Sequence, residues 1–411
     1  MRAIIIEPGR SDPTGEKGGV DMRTGYTTGT CAAAAAGAAV FFLCTGTKQP
    51  HASVLLPDGS ELVLPIVWDS VEPLCCGVHK DAGDDPDVTG GTLICAQVMD
   101  LSEYRKEERA LSCLTPLEQS HVYRDDAYPG LWLRGGRGIG TVTKKGLSCP
   151  VGFPAINPVP RQMILAEADR ARRRAGCPDR ELVITVSVPE GEALAARTFN
   201  PKLGIVGGIS VLGTSGIVHP MSEEALIETI RLEIRVRAGE GRRILAVAPG
   251  NYGERFLKET MGLSMDSFVK CSNFIGDTFQ MMKEEKIEKV LLAGHVGKLI
   301  KVAGGVMNTH SRYGDRRMEI MEQCACSVGM PEEQAGQLKA MNTTEEAADY
   351  LAETGWLTAV MQEAARHGKE VLEKRFGVET ELLLFSMERG LLAETGGAAA
   401  FVKELMDVRM Q

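Results

Sequence analysis

Three apolar runs, each followed by a turn and a helix-forming stretch, constrain this chain more than any other feature. Ile244-Leu245-Ala246-Val247-Ala248 leads into Pro249-Gly250-Asn251-Tyr252-Gly253 and a helical segment. Ser267 to Cys271 leads into a helix from about Asn273 to Lys286. Val290-Leu291-Leu292-Ala293 leads into Gly294-His295-Val296-Gly297 and a basic, glycine-bearing segment with Lys298, Lys301, Gly304, Gly305, His310 and Arg312. Leu382 to Phe385 adds a late strand. Continuous apolar strands alternating with helices predict a parallel, doubly wound sheet. Loops at the carboxyl ends of such strands are where open α/β sheets hold ligands. Cations and free N–H groups at that point favour an anionic partner.

The preceding half reads as α+β. Residues 1–20 are rich in proline and glycine and predict an irregular lead. Thr27-Thr28-Gly29-Thr30 then stands before Cys31-Ala32-Ala33-Ala34-Ala35-Ala36-Gly37-Ala38-Ala39, a run of the best helix former behind natural N-caps. Val54-Leu55-Leu56 and Leu62-Val63-Leu64, joined through Pro57-Asp58-Gly59-Ser60, predict a hairpin. Leu182 to Val188 reads as a strand ended by Pro189. Ser222-Glu223-Glu224 opens a helix with Leu226, Ile230 and Ile234 at i, i+4 and i+8. Gly239 and Gly241 end that helix and mark the expected boundary between an α+β domain (1–240) and a Rossmann-like α/β domain (241–411). A chain of 411 residues is too long for one ordinary core. Thr343-Thr344-Glu345-Glu346 is a capping box for a later helix.

A net charge of -9 argues against a general nucleic-acid binder, which needs a basic face for phosphate contacts. It is compatible with local basic pockets for anionic metabolites. The 11 cysteines include no Cys-x-x-Cys pair, so no metal site is expected, and reduced thiols in a cytoplasm are the better account. Gly25 to Thr47 carries no charge, but its strongly apolar part, Cys31 to Cys44, is mostly alanine. It falls short of the roughly 20 apolar residues of a membrane span, and a closely packed core helix is expected. The oligomeric state is not legible.

Several segments combine glycine with polar or charged groups. Arg23-Thr24-Gly25-Tyr26-Thr27-Thr28-Gly29-Thr30 could seat carboxylate or phosphate oxygens, or simply cap a core helix. In Lys80-Asp81-Ala82-Gly83-Asp84-Asp85-Pro86-Asp87, four carboxylates could hold Mg²⁺, supply a general base or form an acidic turn. Arg134-Gly135-Gly136-Arg137-Gly138-Ile139-Gly140, followed by Lys144 and Lys145, pairs cations with glycines that let backbone approach a ligand. Ala155-Ile156-Asn157-Pro158-Val159-Pro160-Arg161 is a proline-fixed segment ending in a cation. Asn200 to Val218 repeats the paired glycines, as packing devices or as ligand contacts. No Walker lysine follows any of these loops, so a Mg²⁺-dependent phosphotransferase is poorly supported.

Taken in order, these strings resemble the CbiD family, the cobalt-precorrin-5B (C1)-methyltransferases of the anaerobic cobalamin pathway. The likeness runs from Arg23 to Ala32, Lys80 to Thr89, Gly138 to Gly146, Pro154 to Arg161 and Asn200 to Val218, then through Pro249-Gly250-Asn251, Ser272 to Gly276 and Lys298 to Arg312. Arg137 stands where an acidic residue is usual, and Met99 to Tyr128 is longer than the family norm. The resemblance implies methyl transfer from S-adenosylmethionine to ring carbon C1 of a cobalt-bearing tetrapyrrole rich in acetate and propionate carboxylates. The C-terminal α/β domain is expected to hold the methyl donor at the carboxyl ends of its strands, near Gly250, Asn251, Gly253, Asn273, Gly276, Asp277 and Gly294. Thr27, Thr28, Thr30, Lys80, Lys144, Arg161, Lys298, Lys301, His310 and Arg312 are expected near the tetrapyrrole, whose cobalt is substrate. Asp81, Asp84 and His295 are the candidates for proton handling. A non-catalytic tetrapyrrole carrier using the same basic clefts is the alternative.

Overall fold

The computed structural model describes residues 22–69, 74–110, 121–263 and 268–407; the lead expected over 1–20 lies outside them. The chain divides into two units, Met1–Ser222 and Glu223–Gln411.

In the first unit the alanine run forms the helix Thr28–Thr45, capped by Thr27, whose hydroxyl accepts from the Thr30 amide. It packs on a five-stranded sheet ordered Val67–Trp68, Cys75–His79, Leu93–Asp100, Leu182–Ser187, Leu131–Gly135. All neighbouring pairs are antiparallel except the last. Residues from Thr28 to Val40 are buried almost without a break, so the helix has no polar face. Its other neighbour is the helix Pro158–Arg174, alongside and running the same way. A side chain at Gly29 would begin 2.8 Å from Pro160, and one at Gly37 3.5 Å from Glu167. Farther along, Arg174 lies over the Phe41 ring, and beyond that Cys44 and Cys177 form a disulfide. This pair departs from the expectation of reduced thiols: two parallel helices bring their carboxyl ends, and the cysteines there, together. The other cysteines among the described residues form no disulfide.

This helix alone, among the described residues, is long and apolar enough to cross a membrane, yet most of it is inside the first unit. The expected hairpin is present as His51–Leu55 against Glu61–Pro65. Its turn has Gly59 at φ +85° and the Asp58 carboxylate accepting from the Ser60 amide at 2.8 Å.

The second unit holds a five-stranded sheet in the order Phe268–Lys270, Ile244–Ala248, Lys289–His295, Glu379–Ser386, Gly390–Glu394. The first four are parallel and the last is an antiparallel edge strand that the sequence reading did not anticipate. Period-two alternation divides the strand residues between two cores. Leu245, Val247, Val290, Leu292, Leu382 and Leu384 face one core with Phe279, Leu299 and Leu372. Ile244, Ala246, Ala248, Leu291, Ala293, Leu383 and Phe385 face the other with Phe256, Leu257 and Phe401. Both faces are therefore covered, which is why the strands read as unbroken apolar runs.

The division between units falls before, not after, the helix Glu223–Gly239. Its Ile230 and Ile234 are buried in the same core as Phe279 and Met282, so its apolar stripe is satisfied by the second unit. The terminal glycines stop the helix without ending a domain.

Candidate functional site

In the first unit the helix start at Thr27–Thr30 is closed by its own chain. The Thr28 hydroxyl donates to Leu212 O at 3.1 Å and accepts from the Leu212 amide at 2.9 Å. Thr30 Oγ1 donates to Gly216 O at 2.7 Å, and the Gly29 amide to Leu212 O at 3.1 Å. Of the three hydroxyls expected to meet a ligand, those of Thr28 and Thr30 tie the helix to the 212–216 loop and that of Thr27 caps the helix on the Thr30 amide.

The acidic loop is similarly committed. Asp81 accepts from the Arg23 guanidinium and from the Gly83 amide at 2.9 Å. The Arg23 hydrogen bond leads the effects that hold its carboxyl below the usual range. Asp84 accepts from the Arg23 amide at 2.6 Å, and Asp85 from the Met221 amide at 3.1 Å. Asp87 pairs with Lys80, which is 3% exposed and also donates to Thr89 Oγ1 at 2.7 Å. The four carboxylates are taken up by Arg23 (Asp81 and Asp84), Met221 (Asp85) and Lys80 (Asp87), and do not converge on a cation site. A carboxylate already neutralised by arginine is a weak proton acceptor, which argues against Asp81 as a base.

The glycine-rich basic segment packs against itself. A side chain at Gly138 would begin 1.9 Å from Val188 O, one at Gly191 2.1 Å from Gly138 O, and one at Gly208 2.3 Å from Gly138 O. Three chain segments cross where only glycine fits. Lys144 lies along Gly204, where a side chain would begin 2.3 Å from the lysine stem. Arg137 is exposed. Arg161 lies over the ring of buried Tyr123 with 4.1 Å to the centroid, and its Nε is buried without a hydrogen-bond partner among the described residues. Tyr123 itself donates to Pro154 O at 2.8 Å. Sequence reasoning had not paired Tyr123 with Arg161, because the two residues lie on separate, non-periodic segments.

In the second unit the carboxyl ends of Ile244–Ala248 and Lys289–His295 are adjacent, and the chain leaves them toward opposite edges of the sheet. Such a reversal is the position where open sheets leave room for a ligand. Gly250 takes φ +100° there and starts the helix Asn251–Glu259. Gly294 is a close approach: a side chain would begin 2.9 Å from both Pro249 and Leu299. Gly253 is likewise packed, 2.9 Å from Ala293 O, and Gly276 abuts Met307 at 2.7 Å. Asn251 Oδ1 accepts from Lys270 at 2.7 Å. Asn273 takes the Thr309 amide on its carbonyl at 3.0 Å, and Asp277 is exposed in the first turn of Ile275–Glu284. Ser272, between Cys271 and Asn273, has φ +51°, a left-handed conformation rare for a non-glycine residue. No sequence signal announces it.

The basic segment after the third strand separates into distinct roles. His295 caps the helix Val296–Ala303: its Nδ1 accepts from the Gly297 amide at 3.1 Å, and its Nε2 meets Glu345 Oε1 at 2.7 Å. An Nδ1 that accepts leaves the proton on Nε2, pointed at the carboxylate, so neither nitrogen of the neutral ring is free to receive a substrate proton. Lys301 is buried and donates to Thr309 O and Gly314 O, each at 3.3 Å. His310 is exposed and accepts from the Arg312 amide at 3.2 Å. Arg312 is paired with Glu223 and stacked on Tyr313. Lys298 alone of these cations has one long hydrogen bond, to Ser272 O at 3.4 Å, and no carboxylate within ion-pair distance among the described residues.

Known proteins match both units. Residues 15–220 match the CbiD family and residues 308–396 the CbiD C-terminal domain. A protein from Ruminiclostridium cellulolyticum is 41% identical over 398 residues, covering 95% of this chain and 97% of the relative. One from Desulfitobacterium hafniense is 42% identical over 346 residues, covering 84% of this chain and 82% of the relative. Both bear the name cobalt-precorrin-5B C(1)-methyltransferase. A crystal structure of the cobalamin biosynthesis protein CbiD from Archaeoglobus fulgidus aligns with 71% of this chain and 84% of that one, at 23% identity and a TM-score of 0.37. By these matches, the chain belongs to the CbiD family.

Proposed function

We propose that this protein methylates ring carbon C1 of cobalt-precorrin-5B, using S-adenosylmethionine in a cytoplasmic step of anaerobic cobalamin synthesis. The observation that carries the reading is end-to-end likeness to relatives of that name, at 41% identity over 95% of this chain and 97% of the relative. Cobalt arrives with the substrate.

The methyl donor is assigned to the second unit, read as a Rossmann-like domain from its parallel order and its covered faces. The residues there fit such a ligand on one structural point: Gly250 opens a helix with no side chain, and a half-buried lysine without a counter-charge stands beside it. Gly250, Asn251, Ser272, Asn273 and Lys298 would line it, while Gly253, Gly276 and Gly294 shape the loops through close packing. When bound, S-adenosylmethionine supplies an electrophilic methyl group on a sulfonium sulfur. The protein's part is to orient its ligands, since in-line placement of nucleophile, methyl and leaving sulfur can supply much of the acceleration. No protein nucleophile is required.

For the tetrapyrrole, Arg161 is the best-supported anion contact in the first unit, with its Nε unsatisfied and its plane fixed on Tyr123. Lys144 is the second. Thr27, Thr28, Thr30 and Lys80 act behind them by fixing the loops. Asp81, Asp84 and His295 serve as structural anchors in this reading.

The test is incubation with methyl-labelled S-adenosylmethionine and cobalt-precorrin-5B, followed by locating the label. A new methyl at C1 supports the proposal. Tight tetrapyrrole binding without S-adenosylmethionine binding or label transfer would instead identify a carrier.

A further inference from the structure

We propose that Lys298 is the carboxylate-recognition residue of the second unit's site, holding the α-carboxylate of the methyl donor's amino-acid tail. This deepens the assignment of the donor to that unit and rests on it.

The ammonium of Lys298 stands where the loops after three successive parallel strands meet. It lies 3.8 Å from the point where a Gly250 side chain would begin, in the loop after the first strand. It donates to Ser272 O at 3.4 Å, in the loop after the second. It belongs to the helix that follows the third. Neighbouring cations are already used: Lys270 by Glu254 and Asn251, Lys301 by two backbone carbonyls, Arg312 by Glu223. A half-buried ammonium whose only partner among the described residues is one distant carbonyl is under-satisfied, and an anion would offset its desolvation. Burial, followed by a smaller effect of the Lys301 charge, pushes the Lys298 ammonium below its ordinary value of 10.5, against the opposing effect of the Cys271 thiol.

The local charge selects the kind of anion. One uncompensated cation matches a single carboxylate; a diphosphate would bring two or more charges to a place with one cation to meet them. Glycine at 250 keeps the space next to the ammonium open, and its φ of +100° is one that side-chain-bearing residues rarely adopt. Ser272, in its left-handed conformation, presents its carbonyl to the Lys298 ammonium.

Calorimetric titration of the full-length protein tests this with two probes. S-adenosylhomocysteine carries the amino-acid tail, and 5′-methylthioadenosine lacks it. Wild type and K298R should bind S-adenosylhomocysteine within several-fold of each other. K298Q should weaken it about 10- to 100-fold, the worth of one charge-assisted hydrogen bond. Affinity for methylthioadenosine should not change in either variant. Equal weakening of both probes, or no weakening of either, would overturn the role given to Lys298 while leaving the site in place. Failure of wild type to bind either probe would remove the site itself, and the role of Lys298 with it.

Discussion

Replacing Gly138 with alanine separates a glycine kept for packing from one kept for a ligand. The added methyl would start 1.9 Å from Val188 O and 3.0 Å from the Gly191 backbone, at φ +74°. Normal contact with a carbonyl oxygen needs well over an ångström more, and both obstacles are main chain, so no side chain can swing away. Overpacking of this kind costs about 1–3 kcal/mol, and the left-handed conformation adds roughly 1 kcal/mol. The expected loss is therefore about 2–4 kcal/mol. Gly207 is the control: it has φ +81° with nothing within 4 Å of the added methyl, so Gly207→Ala should cost only about 1 kcal/mol. Trp68 and Trp132 lie in the first unit and Trp356 in the second, so urea unfolding followed by fluorescence in a W356F background reports the first unit alone. Equal midpoints for the two alanine variants, with tetrapyrrole affinity lost only in Gly138→Ala, would refute the packing argument.

His295→Asn should keep both the fold and turnover, because asparagine is itself a good N-cap; a fall of a hundredfold or more in turnover at unchanged stability would restore His295 as a proton carrier. Asp87→Asn should lower the unfolding free energy by about 2–3 kcal/mol, read from urea denaturation, since it strands the buried Lys80 ammonium with Thr89 as its remaining side-chain partner, while Asp85→Asn should be nearly silent. Glu363, held down to about 2 chiefly by its hydrogen bond to Arg366, contributes stability that is present above its ordinary 4.5 and lost as pH falls through 2. Thermal unfolding of Glu363→Gln should therefore depend less steeply on pH across that window; an unchanged slope would count against the pair.

The second unit was largely legible because buried parallel strands leave a local signature. Every residue from Ile244 to Ala248 and from Val290 to Ala293 is apolar, and both faces of the sheet need it to be. The antiparallel edge strand Gly390–Glu394 was not legible, since its half-exposed pattern resembles a loop. The segments that carry the candidate site were visible; the division of labour inside them was not. Lys298 and Lys301 differ in sequence only by three positions, yet one turns into the core onto two carbonyls and the other toward the strand ends. The glycines at 138, 191 and 208 are distant in sequence and meet only after folding. Pairings of this sort depend on tertiary approach, which periodicity does not encode.

The alanine helix has a consequence for how the protein is made. Thr28–Thr45 leaves the ribosome ahead of the elements that will enclose it, and alanine lets it coil without help. The strand Leu93–Asp100 and the parallel helix Pro158–Arg174 that enclose it emerge roughly fifty and more than about a hundred residues later. Throughout that interval the nascent chain displays a greasy rod with no polar side, resembling a membrane anchor in all but its destination. Newly begun chains are therefore where chaperone capture, or misdelivery to a lipid bilayer, would compete with folding.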